Sequence, residues 1–150
     1  MVRLLEWGTI TSAFALIFIV ILQIVTRRFF TDIAPSWTEE ASRFFFIYTI
    51  SFGAGLAQRE GYMVSMDYFY RKLNLKMKRI VDLIISFTTV VLFLLMTVFS
   101  VYYIVLGMTE TSPSLGLPMS IAFASMFIMS GSILYYSLIE LINDLRTERK

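Results

Sequence analysis

Arg27, Arg28, Trp37, Glu39, Glu40 and Arg43 put two carboxylates, three guanidiniums and an indole into a short stretch between two apolar segments. Carboxylates and guanidiniums at this spacing can pair into a polar network, and at the edge of an apolar body such a network can dock another protein. The same residues can also do less. Ser36 followed three residues later by Glu39 is a capping-box pattern, and Pro35 discourages helix before it. The two glutamates then sit where a helix N-terminus favours negative charge, with Arg43 one turn further on and within reach of both. Arg27 and Arg28 can reach a membrane interface on their apolar stems. Docking network and ordinary helix start both stay open on the sequence. Metal binding is not suggested, because oxygen ligands for calcium come from a longer run of alternating acids. The chain has no cysteine and no histidine, which removes disulfides, thiolate sites and the commonest general base and leaves carboxylates, Lys, Tyr, Ser and Thr for any chemistry. No acid, base or metal constellation is recognisable, so the sequence predicts neither an enzyme nor a bound cofactor.

The elements that hold these residues are written in long apolar runs. Trp7 to Thr26, Leu83 to Thr109 and Thr111 to Ile139 carry no charge, and each meets the roughly 20 apolar residues needed to cross about 30 Å of hydrocarbon as an α-helix. Hydrophobic residues make up 57% of the chain and charged ones 16%, with a mean hydropathy of +0.73, so lipid rather than water is the expected solvent. The first run follows a short basic segment as a signal peptide would. It is too long, however, and ends at Arg27 and Arg28 instead of a small-residue cleavage site, so it is expected to stay as a membrane helix. A further span is less obvious, because Phe44 to Gln58 supplies only fifteen uncharged residues. A start near Trp37 makes that helix about 33 Å long, enough to cross.

Between these spans, Met63, Met66, Phe69, Tyr70 and Leu73 recur at helical spacing, interrupted by Asp67, Arg71 and Lys72, the pattern of a helix lying in the interface plane. The expected fold is therefore an all-α membrane protein, a single transmembrane domain over 1–150. Four transmembrane helices lie over about 7–26, 37–58, 83–107 and 118–140, with Pro118 in the first turn of the last, and a short interfacial amphipathic helix lies over about 63–73. With this topology ten basic residues fall on the side of the termini and the 59–82 connection, and three (Arg27, Arg28, Arg43) on the other. Both termini are expected in the cytoplasm. Arg71, Lys72, Lys76, Lys78 and Arg79 read as an anchor facing anionic lipid; nucleic acid is not an expected partner. Gly53, Gly55 and Ala57 in the second span, and Ala124 and Gly131 in the fourth, let helix backbones approach closely in lipid. At mid-depth the three long runs offer only Gln23 and scattered hydroxyls, with Gln23 suited to an interhelical hydrogen bond.

Several of these residues resemble the small membrane subunit, DctQ-like, of tripartite ATP-independent periplasmic (TRAP) transporters. The resemblance rests on Arg27-Arg28-x-Phe30, on Trp37-x-Glu39-Glu40-x-x-Arg43, on Gly53, and on Val64-x-x-Asp67 after Arg59, with Ser112-Pro113 and Leu117-Pro118 also similar. It covers nearly the whole chain, and the Trp-x-Glu-Glu-x-x-Arg segment is its most specific part. The chain departs from the family in having Tyr62 and Met63 where relatives often place His, and in lacking a proline near Met126. The resemblance implies a multi-pass subunit of the bacterial inner membrane that does not itself carry the substrate. A periplasmic substrate-binding protein would capture a carboxylate-bearing solute, and a large TRAP membrane subunit, which would also bind the sodium, would move it. This chain would be the scaffold beside that large subunit. The main rival is a self-sufficient four-helix multidrug exporter, which requires a carboxylate inside a membrane helix; the three long runs have none.

Overall fold

A computed structural model describes residues 2–29, 36–60 and 75–147. Its helices are α1 (Val2–Phe29), α2 (Ser36–Arg59), α3 (Leu75–Leu106) and α4 (Ser120–Thr147). By length and composition three of them can cross a membrane, over Val2–Phe29, Ile80–Leu106 and Ser120–Ile142. The expected interfacial helix over 63–73, and with it Arg71 and Lys72, lies outside the described residues. Helix α3 begins at Leu75, well ahead of the apolar run, because the Leu-Lys-Met-Lys-Arg segment consists of good helix formers. Lys76, Lys78 and Arg79 thus fall in its first turns. Pro118 does not sit in the first turn of α4. It forms an isolated antiparallel bridge with Thr111, and α4 starts at Ser120. The cause is visible in the backbone: Met119 N–H donates to the Glu110 carbonyl at 2.9 Å and Ser120 N–H to the Gly107 carbonyl at 3.0 Å, so the chain is still tied to the end of α3 at these residues.

The extensive interhelical interfaces join α1 to α2, α2 to α4 and α4 to α3. The helices therefore stand in a row with α1 and α3 at its edges, rather than in a closed ring. Neighbours α1 and α2 are antiparallel, with Gly8 opposite Phe52 and Leu5 opposite Gly55. Helices α4 and α3 are also antiparallel, with the Tyr103 and Phe123 rings 5.7 Å apart and Gly107 against Phe123. Helices α2 and α4 are parallel: Tyr48 Oη donates to the Ile121 carbonyl at 2.7 Å, Gly55 meets Ser132, and Gln58 Nε2 donates to Glu140 Oε2 at 3.2 Å.

Small residues make these contacts. A Cβ on Gly55 would lie 2.5 Å from Ser132 Oγ, 2.7 Å from Ser132 Cβ and 3.3 Å from Leu5 Cδ1, so α1, α2 and α4 converge there. Gly53 faces Thr9 of α1 at an ordinary 3.9 Å, Ala57 and Ala124 are half-buried, and a Cβ on Gly131 would meet nothing within 4 Å. Two tight glycines carried no clear signal in the sequence. A Cβ on Gly8 would lie 3.0 Å from the Phe52 ring, and one on Gly107 would lie 2.6 Å from Phe123 Cδ2 and 2.7 Å from Ser120 N. The buried polar side chains of the core are hydroxyls, including those of Ser12, Ser51, Ser100, Ser125, Ser130 and Ser132. Each of these six donates to a carbonyl three or four residues back in its own helix, at 2.6 to 2.9 Å. A hydroxyl satisfied within its own helix adds almost no bulk and needs no partner from a neighbour, which suits close packing in lipid. Large apolar side chains instead point outward, among them Phe14, Phe18 and Ile24 of α1 and Phe87, Leu92 and Val98 of α3.

Candidate functional site: the charged end of the helix row

The charged residues singled out above fall at the end of the row that also carries the α3–α4 connection. Helix α2 begins at Ser36, one residue ahead of the expected start, and puts Thr38 and Ala41 on its buried face. Thr38 is 1% exposed. Trp37, Glu39 and Arg43 are thereby turned outward and are exposed, as are Arg27 and Arg28 in the last turn of α1.

Glu40 is the exception. Half-buried, it reaches a loop 74 residues further along the chain, where its Oε2 accepts hydrogen bonds from the backbone N–H of Ser114 at 2.9 Å and of Leu115 at 3.0 Å. The Ser112 hydroxyl is a further donor to the same carboxylate. The loop folds as a compact hairpin. Ser112 N–H donates to the Leu117 carbonyl at 2.8 Å, and Gly116 N–H to the Ser112 carbonyl at 3.0 Å. Gly116 adopts φ 65°, a left-handed conformation that glycine takes without a Cβ penalty. Pro113 has no N–H and makes the chain turn, so the next two N–H groups point out of the hairpin without a backbone acceptor; a carboxylate supplies one, as it would at a helix N-terminus. Ser112 itself is 3% exposed, held between the hairpin and α2.

Sequence reading assembled Glu40 with Glu39 and Arg43, its neighbours along α2, and Arg43 does contribute favourable charge to Glu40. It missed Ser112, Ser114 and Leu115. The available signal was Ser112-Pro113-Ser114-Leu115-Gly116, a turn whose leading N–H groups need an acceptor. It also missed Tyr48, which ties α2 to the first turn of α4. This end of the row thus divides in two: Glu40 is committed internally, while Arg27, Arg28, Trp37, Glu39 and Arg43 remain on the surface. Among the described residues no group of three or more His, Cys, Asp or Glu is placed to hold a metal.

Known proteins resemble this chain in sequence. The chain is 24% identical over 142 residues to a Haemophilus influenzae protein named as a TRAP transporter small permease, an alignment that covers 95% of this chain and 86% of that protein. Residues 16–147, which take in all of α2, α3 and α4, the hairpin and the second half of α1, match the family model for the DctQ component of tripartite ATP-independent periplasmic transporters. With the match extending over nearly the whole helical row and both connections at its charged end, the chain belongs to the DctQ family of TRAP transporter small membrane components.

Proposed function

We propose that this chain is the non-catalytic small membrane subunit of a sodium-driven, binding-protein-dependent transporter for a carboxylate-bearing solute. It crosses the bacterial inner membrane four times with both termini in the cytoplasm. It acts as a scaffold for the large membrane subunit, and its outer charged surface, Arg27, Arg28, Trp37, Glu39 and Arg43, helps to dock the periplasmic binding protein. Sodium binds the large subunit and not this chain.

The observation that carries the reading is the register of α2. At one end Glu40 is bonded to the α3–α4 hairpin; at the other Gly55 lies against both Leu5 and Ser132, and Gln58 reaches Glu140. A helix that runs the length of two flanking membrane helices and packs on both shares their crossing, although its own composition is less apolar. Fusions of a compartment reporter after Ser36, after Lys72, after Ser114 and at Lys150 are expected to read periplasm, cytoplasm, periplasm, cytoplasm. A periplasmic signal at Lys150 would refute this topology.

The buried hydroxyls support a scaffold over a carrier, since those bonded within their own helices offer no ionisable group at mid-depth to couple a solute to an ion. The exporter alternative needs such a carboxylate, and the acids of α2 stand at its outer end. Reconstituted alone, the chain is expected to give no sodium-driven uptake, and co-reconstitution with the large subunit and binding protein is expected to restore it. Ion-coupled flux through the chain alone would favour the exporter. Arg28 and Arg43 are both exposed; reversing Arg28 tests docking with the Glu40 contact unchanged, whereas reversing Arg43 also removes its favourable charge from Glu40. Arg28→Glu and Arg43→Glu are expected to weaken binding-protein association severalfold, the effect shrinking at high salt as for rim charges. Salt-independent, wild-type association in both would leave these residues as a plain helix start.

A further inference from the structure

At the end of the row opposite the hairpin, an open groove of about 480 Å³ follows the seam between α1 and α2, lined by Arg3, Leu4, Trp7, Gly8, Thr11 and Phe52. Its floor exists because Gly8 has no side chain and the Phe52 ring closes over it, 3.0 Å from where a Cβ would stand. Thr11 Oγ1 donates to the Trp7 carbonyl at 2.6 Å, so the proton of its hydroxyl is already committed. Leu4 and Trp7, 75% and 69% exposed, complete apolar walls that open sideways. Arginine stands at the mouth. Arg3 lines it, and Arg59 lies seven residues beyond Phe52, hence on nearly the same face of α2 and about two turns nearer the same end. The antiparallel register, Leu5 opposite Gly55, brings the ends that carry the two arginines together. Both are exposed. Among the acids at this end, Glu6 lies one turn from Arg3 on α1, about 160° round the helix from Gly8, and Glu60 adjoins Arg59.

We infer that this groove holds one anionic phospholipid, with an acyl chain lying over Gly8 between Trp7 and Phe52 and the phosphate between Arg3 and Arg59. An occupant must join a long flexible apolar part to a negative head. A soluble anion has no use for the Trp7 and Phe52 walls, whereas guanidiniums recognise phosphate through paired N–H donors and Trp favours the headgroup level of a membrane. The inference rests on the reading of α1 and α2 as membrane helices, but not on which side of the membrane this end faces.

The test is native mass spectrometry of the full chain in detergent, offered phosphatidylglycerol and phosphatidylcholine with the same acyl chains at equal concentration. Phosphatidylglycerol is expected to be retained over phosphatidylcholine by roughly fivefold for each arginine engaged. That preference should collapse in Arg3→Gln/Arg59→Gln and persist in Lys78→Gln, and Gly8→Leu, which fills the floor, should lower retention of both lipids. Gly8→Leu can fail to fold by pushing on Phe52, so the exposed arginine pair decides. Equal retention of the two lipids by the wild type, or a preference that survives loss of both arginines, would overturn the site. Micelles have no leaflets, so failure here is separable from failure of the reporter-fusion topology.

Discussion

Gly55→Leu is expected to destabilise the protein by about 3 kcal/mol or more, at or above the top of the usual range for overpacking, while Gly131→Leu leaves stability nearly unchanged. Both are helix glycines in the α2–α4 pair, so intrinsic propensity favours either replacement by a similar amount. Their surroundings differ. A Cβ at Gly55 would be 2.7 Å from Ser132 Cβ and 3.3 Å from Leu5 Cδ1, whereas one at Gly131 would meet nothing within 4 Å. The Ser132 hydroxyl could rotate away, but its Cβ is fixed to the backbone of α4. Helix α2 must therefore separate from α4, and Leu5, 5% exposed, loses its packing as well. The expected loss corresponds to a Tm lower by roughly 10 °C in a chain of this size. Thermal unfolding in detergent measures it. Gly55→Ala combined with Ser132→Gly should recover much of what Gly55→Ala loses, because the two Cβ positions compete for the same space. A Tm for Gly55→Leu within a degree or two of wild type would show that the helices do not approach this closely.

The second large effect is expected at the hairpin. Glu40→Ala removes the acceptor of the Ser114 N–H and the nearer of two acceptors of the Leu115 N–H, the other being Ser112 Oγ at 3.4 Å, in a loop 74 residues away. Bonds to a carboxylate are stronger than neutral ones, and losing both should speed amide hydrogen exchange at Ser114 and Leu115 by roughly tenfold or more. Glu40→Gln keeps a carbonyl oxygen in place and should fall between the two. The Ser112–Leu117 and Ser112–Gly116 backbone bonds are internal to the hairpin, so exchange at Ser112 and Gly116 should change less. Uniform acceleration across the loop would instead mean that Glu40 holds the whole hairpin together. No change at Ser114 would mean that it anchors nothing. Arg28→Glu separates docking from loop anchoring, since it leaves the Glu40 carboxylate and its partners intact.

Several elements were legible in the sequence because their cause is local. The uncharged runs behind α1, α3 and α4 satisfy the length and apolarity that a lipid crossing requires, whatever surrounds them. The start of α2 near Trp37 follows from Pro35 and the acidic first turn, and the structure begins that helix at Ser36. The start of α4 was misplaced for a non-local reason. Pro118 is a favourable first-turn residue, but bonds from Met119 and Ser120 to the end of α3 hold the chain out of the helix there. Gly55 and Gly131 looked alike as small residues in apolar helices, and only their neighbours distinguish the closely packed one from the open one.

The sequence by itself determined that the chain is helical, that three of its helices are long and apolar enough to cross a membrane, and that its charges gather at helix ends, because these depend on composition, spacing and caps within a few turns. Its motif residues alone also point to the DctQ family. Only the tertiary structure decided the row α1–α2–α4–α3, the close approach at Gly55, Leu5 and Ser132, and the fate of Glu40. Glu39 and Glu40 are indistinguishable by type and differ by one residue, about 100° of helix rotation. That rotation carries one carboxylate outward and turns the other to two N–H groups in a distant hairpin. Which of them turns inward depends on where α4 and its hairpin stand beside α2, a contact between segments far apart in the chain that no local pattern specifies.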